Sequence, residues 1–277
     1  MAKHLALGIL LLAPILSTTA LARRLPDITV VNTGWGEVSP AEVRTVFRSA
    51  AGEIWKHCPN TRVDSILVYH RNDHPQTDWE RNARGEIVIG IEAGGRRCAQ
   101  MVFQFAHEFC HVLAGHSNDW RRAWRGEGKP NHWLEESLCE TASLFTLRAM
   151  ARSWQNKAPF REWKYYAPEF ADYAQERMRD PRQRLPSNTT FAAWFHRNEP
   201  AMRRNPNLRE KNTVVAAQLL PLFEADPRGW EAVTFFNLGR QDRTMSLARF
   251  LAEWRENCPP RLRDFVASLA LVFDVRL

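Results

Sequence analysis

The apolar positions along the chain fall into three regimes. Lys3 and His4 precede a continuous apolar run over residues 5–16, which closes on Ala20-Leu21-Ala22. A short apolar core with a basic start and a small-residue end is the pattern of a secretory signal peptide, expected over residues 1–22. The run is too short to cross a bilayer as a helix.

From there to about Trp154 the pattern alternates between periods. Residues 27–31 alternate as a strand does, and Ser39-Pro40-Ala41-Glu42 then opens a helix. Ser as N-cap, Pro at the first helical position and Glu three residues on satisfy the free N–H groups of a helix start. Val43, Val46, Phe47, Ala50, Ala51, Ile54 and Trp55 follow at helical spacing and make one apolar face. Residues 65–69 and 86–91 read as strands, the second bounded by Gly85 and by Gly94-Gly95. A helix is predicted over 97–114 with Gly115 as its stop, then a loop rich in Trp, Arg and Gly, then a helix over 132–152.

Beyond Trp154 only helical patterns occur, clearest over 214–223, 230–238, 247–254 and 262–272. Turn residues at Pro159, Pro168, Pro181, Pro200 and Pro259 separate them. The predicted class is α+β. A small mixed sheet with two long helices occupies residues 23–154, and an all-helical part occupies 155–277 and closes the cleft.

Composition narrows this picture only a little. With 277 residues, 44% hydrophobic and 25% charged, the chain can bury a substantial core and is not a disordered segment. A net charge of +7 raises the question of nucleic acid, but the Arg-rich stretches at 177–184 and 203–204 are interspersed with acids and Pro. A solvated surface is the better reading, with no nucleic-acid partner and no stable membrane insertion once the signal is removed. An exported chain, periplasmic or secreted, sees oxidising conditions, and all five cysteines (Cys58, Cys98, Cys110, Cys139, Cys258) lie beyond residue 22. Cys110 and Cys139 occupy equivalent positions on their two helices and are expected to face each other as packing residues rather than as a disulfide. Cys58 with Cys98 is a possible bridge. Oligomeric state is not legible.

The chemistry concentrates on the two long helices. His107-Glu108-Phe109-Cys110-His111 is an H-E-x-x-H pattern inside the first of them. Two His at i and i+4 share one face and can bind one Zn²⁺ per chain, with Glu108 beside it as general base. On the second helix Glu136 and Glu140 share a face with Ser143 nearby, while Leu134, Leu138 and Phe145 take the other. Acids turned inward need a cation or donors. Glu136 therefore fits as the third ligand, and Glu140 as the acceptor for a free ring N–H of His107 or His111. Glu135 is a rival ligand.

This pair of motifs resembles the gluzincin metallopeptidases, the thermolysin-like and aminopeptidase-like group, in which H-E-x-x-H is followed on a second helix by W-L-[NE]-E-x-x-x-[DE], here Trp133 to Glu140. The resemblance covers about residues 102–145. It implies a zincin-like fold for 23–154 and an exported zinc peptidase acting on a peptide or protein. It also implies His107, His111 and Glu136 as ligands, Glu108 as base and Glu140 as the outer carboxylate. Two features depart from the group's pattern: the 24 residues between His111 and Glu136 are more than is common, and Glu135 stands where Asn is frequent. The metzincin register fails, because Ala114 holds its Gly position and Ser117, one past His116, its third His position.

Resembling enzymes stabilise the oxyanion with a Tyr or His, which makes Tyr165, Tyr166, Tyr173 and His196 candidates. They also hold substrate on an edge strand, a role open to the 86–91 strand. Glu92 at its end is either a binder of a substrate's amino terminus or a solvated edge charge. The alternative to an enzyme is a non-catalytic exported binding protein with a structural zinc centre.

Overall fold

The computed structural model describes residues 24–78, 80–115, 129–239 and 242–277. The segment expected to be a signal peptide, His116 and most of the Trp- and Arg-rich loop lie outside the described residues. Four strands, β1 (Ile28–Val30), β2 (Ile66–His70), β3 (Gln76–Thr77) and β4 (Ile87–Ile91), form one sheet in the order β1-β2-β4-β3. β1, β2 and β4 run parallel, and β3 pairs antiparallel to β4 with Gln76 opposite Gly90.

α1 (Pro40–Trp55) crosses from β1 toward β2. Its start is the predicted capping box: Ser39 Oγ accepts from the Glu42 N–H, and the Glu42 carboxylate accepts from the Ser39 N–H at 2.9 Å. Its buried face is the predicted one, with Val43, Phe47, Ala50 and Ile54 wholly enclosed.

α2 (Cys98–Gly115) and α3 (His132–Lys157) follow. α3 runs five residues further than its pattern predicted, because Trp154 at its end is buried against Trp163 and Phe170. A short 3₁₀ turn (Arg161–Tyr166) leads to α4 (Ala167–Arg179), α5 (Phe191–Arg204), α6 (Arg209–Ala225), α7 (Gly229–Val233), α8 (Leu247–Asn257) and α9 (Pro260–Val272).

Three sequence expectations are corrected here. Pro200 lies inside α5 rather than between helices, where Trp194, Phe195 and Met202 bury one face on both sides of it and hold the helix together. The helix predicted over 230–238 stops at Val233, and the chain turns through Asn237, whose side chain is used elsewhere. The 86–91 strand is interior, paired on both sides; β3 is the edge beside it, and β1 is the other.

One hydrophobic core runs from Ile28 to Phe273 through both halves of the chain. α3 is central to it and is buried on nearly all sides, which forces its polar residues to find partners inside the protein.

Candidate metal centre

Local sequence sets the scaffold of the site. Gln104, on the second turn of α2, accepts at Oε1 from the N–H groups of Glu92 and Ala93 and so ties the helix to the end of β4. Ser143 of α3 donates to the carbonyl of Phe103, one turn before His107, at 2.7 Å. Phe105 and Phe109 stack on the opposite side of α2, with Phe47 of α1 behind them. These contacts hold the histidine face of α2 against the carboxylate face of α3.

His107 and His111 stand one turn apart, with ring centroids separated by 5.1 Å. Nε2 of His107 lies 3.3 Å from Glu136 Oε2, and Nε2 of His111 lies 3.7 Å from Glu136 Oε1. Their other nitrogens turn to different acids: Nδ1 of His107 to Glu140 at 3.7 Å, Nδ1 of His111 to Glu135 at 2.9 Å. The hydrogen bond from Glu135 to Nδ1 of His111 leaves that ring's Nε2 facing forward. The carboxylates are themselves supported. Glu135 accepts from Asn237 at 3.0 Å, and Glu140 accepts from Thr213 at 2.8 Å and Arg177 at 3.3 Å.

Glu108 is buried beside them. Thr77 of β3 is placed to donate to its Oε2 at 2.9 Å or its backbone carbonyl at 3.1 Å. His74, Pro75, Gln76, His132, Asn207, Arg209 and Asn212 complete the walls of a cleft of about 570 Å³ that His107, Glu108, His111, Glu136 and Glu140 also line.

Four carboxylates converge here, Arg177 pairs with Glu140 alone of them, and imidazoles stand against Glu135 and Glu136. Burial pulls the His107 pKa down, but hydrogen bonds to Glu136 and Glu140 outweigh it and hold the ring well above its ordinary value. His132 is pushed up to about 9 in the same way, burial opposing and Glu135 and Glu136 prevailing. Burial pushes Glu135, Glu136 and Glu140 up, and their imidazole partners bring all three below the usual carboxylate range. A site that recruits protons to offset buried acids is one where a dication would substitute for them.

The donor set fits a metal ion by this chemistry, and His107, His111 and Cys139 form a group that could hold one, their donor atoms all within 4.8 Å of one another. The Cys139 thiol is buried, hydrogen-bonded with Cys110 and faced by Glu136 and Glu135, all of which raise its pKa. Glu136 offers a charged oxygen to the same two imidazoles.

The structure therefore brings His107, Glu108, His111, Glu136 and Glu140 together as the spacing predicted, with Glu140 serving His107. Glu135 is corrected from rival ligand to partner of His111. The four proposed oxyanion donors do not line the cleft. Tyr165 is 72% exposed, Tyr166 lines a separate pocket with Trp154 and Trp163, Tyr173 packs edge-on against Phe103, and His196 is exposed beside Phe195. Helical spacing locates a side chain on its own helix and says nothing about which helix faces the cleft. Glu92 is part-exposed, and its carboxylate accepts from Arg97, Gln100 and Gln104. Cys110 and Cys139 do face each other, and Cys58 and Cys98 are free thiols.

Sequence reasoning missed His132, Thr77 and Asn237. For His132 a signal was present, since it stands four residues before Glu136 and eight before Glu140 on one helical face. For the other two there was none, because they arrive from 31 and 102 residues away. Comparison of the chain with protein-family models, with curated proteins and with solved structures finds no match.

Proposed function

We propose that the chain is an exported zinc-dependent peptidase of gluzincin type, in which His107, His111 and Glu136 hold the ion. The observation that carries this reading is the convergence of two Nε2 atoms of an H-E-x-x-H helix on one carboxylate of the neighbouring helix, at 3.3 and 3.7 Å, with carboxylates behind both rings. When bound, zinc supplies Lewis acidity toward a carbonyl and toward water.

The chain's own residues do the rest. Glu108 takes the proton of the attacking water and passes it to the leaving amine, and the Thr77 hydroxyl holds its Oε2 so that the other oxygen meets the water. Glu135 orients the His111 ring through its hydrogen bond to Nδ1, and Glu140 stands behind His107. The free edge of β3, with Gln76 in the wall of the cleft, offers backbone groups to an extended peptide, the role that the sequence had placed on the neighbouring strand.

A structural zinc centre in a binding protein is the second reading, and the buried Cys139 within reach of both histidines favours it. The test joins metal content to a peptide-library assay on parent and Glu108→Gln. Near one zinc in both proteins, with cleavage in the parent and a loss of about 10²–10⁴-fold in the variant, is expected. Full activity in Glu108→Gln sinks the mechanism, and a zinc-loaded parent that cleaves nothing favours the structural centre.

A further inference from the structure

His132 opens α3 and stands four residues before Glu136, so the two side chains share a face. Its ring faces the same two carboxylates as the ring of His111. Nε2 of His132 lies 3.3 Å from Glu136 Oε1, the same oxygen that Nε2 of His111 approaches. Nδ1 of His132 lies 3.3 Å from Glu135 Oε2, while Nδ1 of His111 lies 2.9 Å from Oε1 of that same carboxylate. One acid thus stands behind both imidazoles and another stands in front of both. The two rings lie within 28° of parallel, and both line the cleft. An imidazole backed by a carboxylate at Nδ1 and aimed forward through Nε2 is the arrangement that metal-ligating histidines share.

Resting on the reading of this site as a metal centre, we propose that His132 is a third imidazole ligand, so that the centre comprises His107, His111, His132 and Glu136. Four protein donors fill the usual tetrahedral shell of zinc. An exchangeable water at this centre then requires a fifth position, which sets it apart from a centre with three protein ligands.

The full chain, its His132→Ala and His132→Gln variants, and His196→Ala as a control for an exposed histidine are compared in two measurements. These are zinc affinity, by competition with a chromophoric chelator, and the visible spectrum of the Co²⁺ form, whose d–d bands strengthen as the coordination number falls. Both His132 variants should bind zinc about a hundredfold more weakly and show altered cobalt bands, while His196→Ala matches the parent.

Parental affinity and spectrum in the His132 variants overturn the proposal and leave the peptidase reading standing. Weaker zinc binding with an unaltered cobalt spectrum also overturns it, since the ring would then act on the ligands from outside. A parent that takes up neither metal overturns both readings. Should His132→Ala fail to fold, as judged by circular dichroism of the metal-free protein, His132→Gln decides.

Discussion

Two of the places where the protein buries carboxylates satisfy them differently. Glu231 of α7 is enclosed in the C-terminal half, where its Oε1 accepts from Arg261 at 2.6 Å and from Asn60 at 2.9 Å. Arg261 is a permanent cation, so that acid is balanced by the fold itself. Glu135, Glu136 and Glu140 are buried between α2 and α3 and lean on three imidazoles, with Arg177 touching only Glu140. Imidazoles carry charge conditionally. The contrast teaches that the first carboxylate is balanced by a permanent cation, whereas the second group is balanced mainly by side chains whose charge depends on protonation.

The strongest way to break this contrast is to remove the carboxylate on which the imidazoles converge. Glu136→Ala is expected to lose stoichiometric zinc and bring hydrolysis to background. At zinc about a hundred times its Kd the parent should gain about 2.7 kcal/mol of stability, a rise in Tm of about 5–10 °C, and the variant should gain none. Thermal scans with zinc and with chelator read this directly, and a parent whose midpoint ignores both shows that the trio is as self-sufficient as Glu231.

Glu231→Gln sharpens the other side. It removes the charge opposite a half-exposed Arg261 and should cost about 1–3 kcal/mol in denaturant unfolding, equally with and without chelator. A cost that appears only in the metal-loaded protein would tie Glu231 to the centre.

The smallest effect is expected from Thr77→Val, which deletes the hydroxyl beside Glu108 and leaves the ligands alone. Metal content should be unchanged and kcat about tenfold lower, equivalent to about 1.4 kcal/mol of transition-state stabilisation. An unchanged kcat would remove Thr77 from the positioning of the base.

What could be read from the chain was local. The α1 cap was legible because Ser39, Pro40 and Glu42 satisfy one another within a single turn. The histidine pair and the acid pair were legible because i and i+4 residues share a helix face whatever lies around them. β3 was not legible: two residues are too few for a periodic signal, and Thr77 is identified only by the Glu108 it touches. The tyrosines were open to two roles on sequence, oxyanion donor or aromatic packing, and Tyr173 takes the packing role against Phe103.

The sequence by itself determined α1 with its cap, the two long helices α2 and α3, and the faces carrying His107, His111, Glu136 and Glu140. Only the tertiary structure decided that Glu140 backs His107, that Glu135 backs His111 and His132 together, and that β3 rather than β4 is an open edge. The reason is geometric. Residue spacing determines angles about one helix axis, whereas the rotation of α2 against α3 is set by distant contacts such as Ser143 with Phe103 and Asn237 with Glu135.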